Sequence, residues 1–161
     1  MVTKVTYTKD RNLYPIQNQS RLTFYRRQSI LKSINNQNSD TNYFVKITYP
    51  IFFGIPSITE PSKFYSIFIN YVPDKKLIEK ESLKQYLLSY QSYVDVHQNC
   101  IDIILKDLVN TYNPRYMEIS FSSYHQKRFS VNPYVNYGKP ETRWEQFAEL
   151  RLTHLESFLS N

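Results

Sequence analysis

Alternating apolar and polar positions predict several short strands along the chain. β-branched and aromatic residues predict one strand over Tyr43–Phe53 and a second over Lys63–Val72, which Pro73-Asp74 closes. Two further runs of this kind, Tyr116–Tyr124 and Phe129–Val135, predict another strand pair joined by a basic turn. The strands therefore come in two pairs, with a segment of different periodicity between them.

In that middle segment, and again near the end of the chain, the apolar spacing is helical. One helix is predicted from Glu81, and a second follows with Asp95 as a candidate N-cap and Asn113-Pro114 as its end. Pro140 precedes a last amphipathic helix. The order β-β-α-α-β-β-α predicts an α+β domain. The second helix is expected to bury Ile101, Ile104, Leu105 and Leu108.

Charge separates the first part of the chain from the rest. Residues 1–41 contain seven basic and two acidic residues, and so carry five of the six net positive charges. The polar run Asn35–Asp40 is predicted to be a linker, which gives a flexible basic extension at 1–41 and a folded domain at 42–161. Three hypotheses stay open for the extension: contact with RNA or another anionic partner, a targeting peptide, or a solvated tail with a short helix at Arg21–Ile34.

Composition excludes several classes of protein. With 161 residues, of which 41% are hydrophobic, the chain can bury a core, so wholesale disorder is excluded. No apolar run approaches the roughly 20 residues of a membrane-spanning helix. We therefore expect no membrane partner and a location in the cytoplasm or in the matrix or stroma of an organelle, without secretion. One Cys and two Gly exclude an internal disulfide, a cysteine-rich zinc site and glycine-rich phosphate loops, and no metal site is expected.

Several stretches of the domain resemble one known family. They are Tyr71–Glu79, Ser82–Tyr90, Asp95–Cys100, Pro114–Glu118 and Asn132–Pro140. In these stretches the chain resembles the QueF family, the 7-cyano-7-deazaguanine reductases of queuosine biosynthesis. The likeness runs without gaps from about residue 47 to residue 152, which leaves residues 1–41 outside it. The resemblance implies a tunnelling fold, in which antiparallel sheets backed by helices assemble from several subunits into a barrel with sites between subunits.

The resemblance also shows where this chain departs from the family's chemistry. Family members attack a nitrile with a Cys thiolate, protonate it with an Asp and reduce it with two hydrides from NADPH. Counting back from the matched Pro73-Asp74 places Pro56 at the Cys position and Lys63 at the Asp position. A shift of one residue would bring Ser57 to the Cys position, but a serine hydroxyl without an obvious activating His is a poor substitute. Cys100 matches a family Cys that is not the nucleophile, and we expect it to be a buried structural residue.

The ligand-binding positions are only partly kept. The resemblance implies substrate binding by Ile78, Glu79 and Lys80, and by His97 and Gln98, where the family has Glu in place of Gln98. An amide offers one acceptor and one donor, so it grips a guanine-like edge differently from a carboxylate. Without the resemblance, His97 would be interpreted as a histidine with a local hydrogen bond near a helix start.

The cofactor-binding positions are also changed. Lys84 is kept as a weak candidate, but an earlier family Lys is Glu81, which would repel a phosphate. The family's glycine-containing basic turn is His125-Gln126-Lys127-Arg128 here. NADPH is therefore expected only if the reductase activity survives.

Three functions remain open at this point. The first is a homo-oligomeric QueF-like protein without reductase activity that binds a deazaguanine, another purine-like ligand or RNA, or serves as a non-catalytic subunit. The second is an active nitrile reductase, or a related tRNA-modifying enzyme, with a relocated nucleophile. The third is a structural subunit of a larger complex, anchored by the basic extension.

Overall fold

The computed structural model describes residues 27–53, 63–90, 99–123 and 132–158 of the chain. Its helices are α1, Lys80–Leu88; α2, Asn99–Tyr112; and α3, Arg143–Phe158. Its strands are β1, Ser33–Asn35; β2, Val45–Phe53; β3, Lys63–Val72; β4, Lys76–Ile78; β5, Tyr116–Ser123; and β6, Tyr134–Gly138. The predicted order of strand pairs and helices is confirmed, and two short strands, β1 and β4, are added to it. None of the described helices is long and apolar enough to cross a membrane.

The main sheet has four antiparallel strands in the order β2-β3-β5-β6. β2 and β3 pair residue by residue from Val45 opposite Tyr71 to Phe53 opposite Lys63, without a bulge. The bounds predicted for β3 are those observed. β6 was predicted over Phe129–Val135 but runs over Tyr134–Gly138, because its ladder with β5 extends from Tyr134 to Gly138. The first half of the predicted strand lies outside the described residues.

The helix pair α1 and α2 covers one face of this sheet and forms the main core. The four apolar residues predicted for the buried face of α2 are all at most 1% exposed. They pack with α1 and with alternate residues of β3 and β5, such as Ile67, Ile69 and Ile119, each 0% exposed. Because strand side chains alternate between faces, this pattern buries one side of each strand under the helices. The predicted helix pair on one face of an antiparallel sheet is confirmed.

α3 packs against the opposite face of the sheet, near its β5–β6 side. Val72, Tyr116 and Ala148 form a small second core there, with Trp144 and Phe147 against it. The Tyr116 and Phe147 rings meet edge to face at 4.8 Å between centroids, a geometry that aromatic pairs favour.

Gly138, at the end of β6, lets the first turn of α3 approach the sheet closely. A Cβ at this position would overlap the backbone carbonyl oxygen of Trp144 and would lie 2.8 Å from the Cα of Glu145. Because those atoms belong to the backbone, no side-chain rotation could relieve the overlap. The position therefore requires glycine for packing, and one of only two glycines in the chain is used here.

The segment before β2 packs against the domain from residue 27 onward. Leu31 lies in the main core at 8% exposure, and β1 pairs antiparallel with β4. Asn36 is also buried, and its backbone N–H donates to the Lys75 carbonyl at 2.9 Å. This differs from the linker predicted over Asn35–Asp40, because Asn36 donates to the domain from both its backbone N–H and its side-chain amide. A flexible extension remains a prediction for residues 1–26, which lie outside the described part.

The turn after β3 is the centre of a polar corner that joins distant parts of the chain. The Asp74 carboxylate accepts from Lys139 at 2.8 Å and from Arg115 at 3.3 Å, and its pKa is lowered chiefly by the hydrogen bond from Lys139. Asn36 donates to the Asp74 carbonyl at 2.8 Å. Arg115 also donates to Asn42 at 2.7 Å. The corner therefore ties the segment before β2 to the turns that precede β4, β5 and α3.

Candidate base-binding site

Glu79 is the N-cap of α1, and its carboxylate is held in a fixed orientation. One oxygen accepts from the Glu81 backbone N–H at 2.9 Å, and the other accepts from the Ser82 N–H at 2.8 Å. These two bonds, the one to Glu81 first, lower the pKa of Glu79 below its ordinary value. A carboxylate oxygen can accept more than one hydrogen bond. Glu79 therefore stays ionised at neutral pH and keeps acceptor capacity for a ligand.

The two neighbours of Glu79 contribute differently. The Ile78 side chain is part of the main core at 6% exposure, and its N–H donates to the Tyr71 hydroxyl at 3.1 Å. Only its backbone carbonyl is therefore a candidate ligand contact. Lys80 begins α1 and is exposed. Its ammonium group can add positive charge beside the carboxylate without being fixed.

Lys84 does not form a phosphate-binding site together with other described residues. Its ammonium lies 3.9 Å from the Glu81 carboxylate, and the two side chains are 50% and 62% exposed. An adjacent carboxylate offsets the charge that an NADPH phosphate would need. The basic turn at 125–128 lies outside the described residues. Around Lys84, the described residues thus do not fit an NADPH phosphate.

The structure describes only some of the remaining predicted site residues. Pro56, His97 and Gln98 lie outside the described residues, so their predicted roles stay predictions. Lys63 is the first residue of β3 and pairs with Phe53 at one end of the sheet. Gln98 is bonded to Asn99, the first residue of α2.

Within one chain, Glu79 lies far from Lys63 and from the start of α2. β3 rises about 3.3 Å per residue, which puts Lys63 and Val72 roughly 30 Å apart, and Glu79 follows the Val72 end. α2 has 14 residues and is about 20 Å long. Its last residue, Tyr112, reaches the Lys32 carbonyl that also bonds Glu79. A two-ring base cannot touch both Glu79 and Lys63 of the same chain, nor reach from Glu79 to Asn99 at the other end of α2.

A second polar cluster, centred on Glu118 in β5, was not predicted from the sequence. The carboxylate is 7% exposed and accepts from the Tyr116 and Tyr134 hydroxyls at 2.8 Å each and from Asn70 at 2.9 Å. Arg151 of α3 adds an ion pair at 3.1 Å. Burial alone would raise the pKa of Glu118, but these hydrogen bonds and Arg151 lower it below its ordinary value. A charged residue inside an apolar strand was the sequence signal for this cluster, which fastens α3 to the sheet.

The single cysteine lies in a third cluster, between α1 and α2. Cys100 is 4% exposed, and burial raises the pKa of its thiol to about 12. Nearby, the Tyr86 hydroxyl donates to the buried Asp107 carboxylate at 2.6 Å and bonds the Tyr90 hydroxyl at 2.9 Å. Arg27 stacks over the Tyr90 ring at 4.7 Å and is itself buried. A buried thiol with a raised pKa is a poor nucleophile, which agrees with a structural role for Cys100.

Comparison with known proteins gives the family. A family model described as QueF-like protein matches residues 63–142. A Streptococcus thermophilus protein named NADPH-dependent 7-cyano-7-deazaguanine reductase is 42% identical over 132 residues, which cover 82% of this chain and 81% of that protein. A protein of the same name from Exiguobacterium sibiricum is 43% identical over 129 residues, covering 80% of each chain. The chain belongs to the QueF family.

The comparisons also correct the predicted limit of the resemblance. Residues 42–161 number 120, so at least 12 of the 132 residues matched in the Streptococcus protein precede residue 42. The prediction that residues 1–41 lie wholly outside the QueF likeness is therefore wrong. The reason is physical as well: residues from Leu31 onward pack into the domain. Basic composition alone did not separate this packed part from the residues before it.

The architecture agrees with the fold expected of a QueF subunit. It has the predicted α+β tunnelling-fold plan, an antiparallel sheet with the helix pair on one face and a C-terminal helix. Among solved structures, the apo form of the archaeosine synthase QueF-Like is 19% identical, with a TM-score of 0.46, covering 58% of this chain and 90% of that one.

Proposed function

We propose that this QueF-family protein binds a 7-deazaguanine or a similar purine-like base and does not reduce it. The observation that carries the proposal is the pair of residues at the two catalytic positions, Pro56 and Lys63. In the family's reaction, a thiol S–H adds across the nitrile, so that a carbon–sulfur bond forms and the nitrogen gains the proton. Proline has no nucleophile to form that bond. Lysine places a positive charge where the reaction needs a carboxyl group.

The regular pairing of β3 supports the assignment of Lys63. Pairing with β2 runs without a bulge from Lys63 to Tyr71, so the count back from Pro73-Asp74 meets no inserted residue. Cys100 gives no support to a relocated nucleophile, because its thiol is buried and its pKa is raised to about 12. An active reductase is therefore not favoured.

The binding half of the proposal depends on Glu79 and Gln98. Glu79 is ionised and oriented, which suits it to accept from the N–H groups of a guanine-like edge. Because Glu79 lies far from Lys63 and from Asn99 at the start of α2 within one chain, the proposal requires that two copies meet so that each supplies part of one site. A homo-oligomer is thus part of the proposed function.

The test uses the full chain and 7-cyano-7-deazaguanine. Calorimetry should detect binding, mass spectrometry should detect no covalent adduct, and NADPH should not be consumed. The matched variant restores both family residues, Pro56→Cys with Lys63→Asp, and should gain an adduct heavier by one ligand. Turnover or adduct formation by the unaltered chain would refute the absence of catalysis. Absence of binding would instead favour a purely structural subunit, and a monomer in light scattering would contradict the shared site.

A further inference from the structure

The backbone of Lys32, just before β1, is bonded directly to the residue proposed to recognise the base. Its carbonyl accepts from the Glu79 N–H at 3.2 Å and from the Tyr112 hydroxyl at 3.0 Å. Its own N–H donates to the Ser82 hydroxyl oxygen at 3.0 Å. Ser82 in turn donates to the Glu79 carbonyl at 3.0 Å. These four bonds form a closed group around the start of α1.

Two of the residues in this group cannot touch a ligand themselves. Tyr112 is 1% exposed and Ser82 is 4% exposed, whereas Glu79 is only half-buried. Any effect of Tyr112 or Ser82 on binding must therefore pass through the position of Glu79. β1 is held in the same place independently, by its pairing of Ser33 with Ile78 and by Leu31 in the core.

We propose that the segment Leu31–Asn35 is a positioning element for base recognition, which sets where the Glu79 carboxylate lies. This inference rests on the proposed function. With the Lys32 bonds in place, the first turn of α1 is fixed at its N-cap. When one of those bonds is lost, the turn frays part of the time, and apparent affinity falls in proportion to the fraction of molecules with Glu79 in place.

The experiment compares Tyr112→Phe with Tyr90→Phe in the full chain by calorimetry. Both remove one hydroxyl from a buried tyrosine, but Tyr90 bonds Tyr86 near the other end of the helix pair. The probes are 7-cyano-7-deazaguanine and its analogue without the 2-amino group. We expect Tyr112→Phe to weaken binding of the first probe about fivefold, the equivalent of one hydrogen bond. Tyr112→Phe should weaken binding of the analogue less, so that the ratio of the two affinities falls. Tyr90→Phe should leave both affinities unchanged.

Hydrogen exchange supplies a second readout that does not depend on affinity. The amide of Glu79 should exchange faster in Tyr112→Phe than in Tyr90→Phe, because it donates to the carbonyl that Tyr112 holds. Ser82→Ala should act in the same direction, and it carries the test if Tyr112→Phe does not fold. If the unaltered chain binds the first probe but Tyr112→Phe and Ser82→Ala keep its affinity and its preference, the inference is overturned and the proposed function stands. If the unaltered chain does not bind that probe, both are overturned.

Discussion

Replacing Glu118 by glutamine removes the charge of a buried carboxylate while keeping its shape. In the native cluster, one carboxylate oxygen accepts from Tyr116, Tyr134 and Arg151, and the other accepts from Asn70 and, at 3.3 Å, from Arg151 as well. The amide oxygen of the introduced side chain can still accept the first three bonds. Its NH2 group then faces the Asn70 amide, which must rotate to present its oxygen, and the Arg151 guanidinium, whose bond at 3.3 Å on this side is lost. The substitution thus weakens the bonds to the cluster without opening a cavity.

The magnitude follows from the number and kind of these bonds. A hydrogen bond to a charged group contributes about 1.5–3 kcal/mol, and a neutral one contributes about 1 kcal/mol. Each of the three hydrogen bonds to the first oxygen loses part of this difference in free energy when the charge is removed. Arg151 is 38% exposed, so its share is reduced by solvent screening. We expect Glu118→Gln to lower the free energy of unfolding by about 2 kcal/mol at neutral pH.

Urea unfolding across a pH series measures this loss, at one protein concentration because the proposed self-association would also stabilise the fold. The pKa of Glu118 is lowered from 4.5 in the folded state, so its contribution is present above that value and is lost as the pH falls through the lowered pKa. The gap between the native chain and the variant should therefore shrink in acid. Glu149→Gln, on the exposed side of α3, is the control and should change stability by less than about 0.5 kcal/mol. The reasoning would be refuted if Glu118→Gln lowered the free energy of unfolding by less than about 0.5 kcal/mol at neutral pH. It would also be refuted if the loss stayed the same in acid.

Further predictions concern Gly138, Cys100, the basic residues before Arg27, and Arg27 itself. Gly138→Ala should cost about 1–3 kcal/mol or more of stability in urea unfolding, because its Cβ overlaps the Trp144 backbone; unchanged stability would contradict the close approach. Alkylation of Cys100 at neutral pH should be at least about a hundredfold slower in the folded chain than in denaturant, since its pKa is raised to about 12, and equal rates would contradict its burial. If residues 1–26, which hold five basic residues and one acidic, bind RNA, the binding should weaken steeply with salt and disappear when they are deleted; equal weak binding by both forms would exclude it. Arg27 should contribute little to RNA binding, because it is buried over Tyr90.

The sequence predicted the elements whose stability comes from a repeated pattern. β3 has a long run of β-branched and aromatic residues, and its predicted bounds are those observed. β1 and β4 have three residues each, too few for alternation to be visible. β1 forms because of a partner more than 40 residues away, which no local pattern reports. The same long-range pairing explains why the polar segment before β2 was mistaken for a linker.

The family resemblance supplied residues of the candidate site, such as Glu79. The sequence did not show the hydrogen bonds that orient that residue and keep it ionised. Glu79 came from the resemblance, but its role as an N-cap did not, because Ser, Thr, Asp and Asn are the residues favoured there. The links from Lys32 to Glu79 and to Tyr112 required the folded chain, since they join residues 47 and 80 positions apart. The roles of Pro56 and Gln98 stay predictions.

The corner at Asp74 has a consequence for the order of folding. Its partners Asn36, Arg115 and Lys139 lie 38, 41 and 65 positions away along the chain, whereas β2 and β3 are neighbours in sequence. Closing a longer loop costs more entropy, and during synthesis the last of these contacts must wait until Lys139 has emerged. The contacts of Asp74 should therefore form after the β2–β3 hairpin, in one late step that fixes both ends of the domain. Pulsed hydrogen exchange during refolding should protect the Lys139 amide, which donates to Arg115 at 2.9 Å, later than the amides of that hairpin; protection in the reverse order would rule this out.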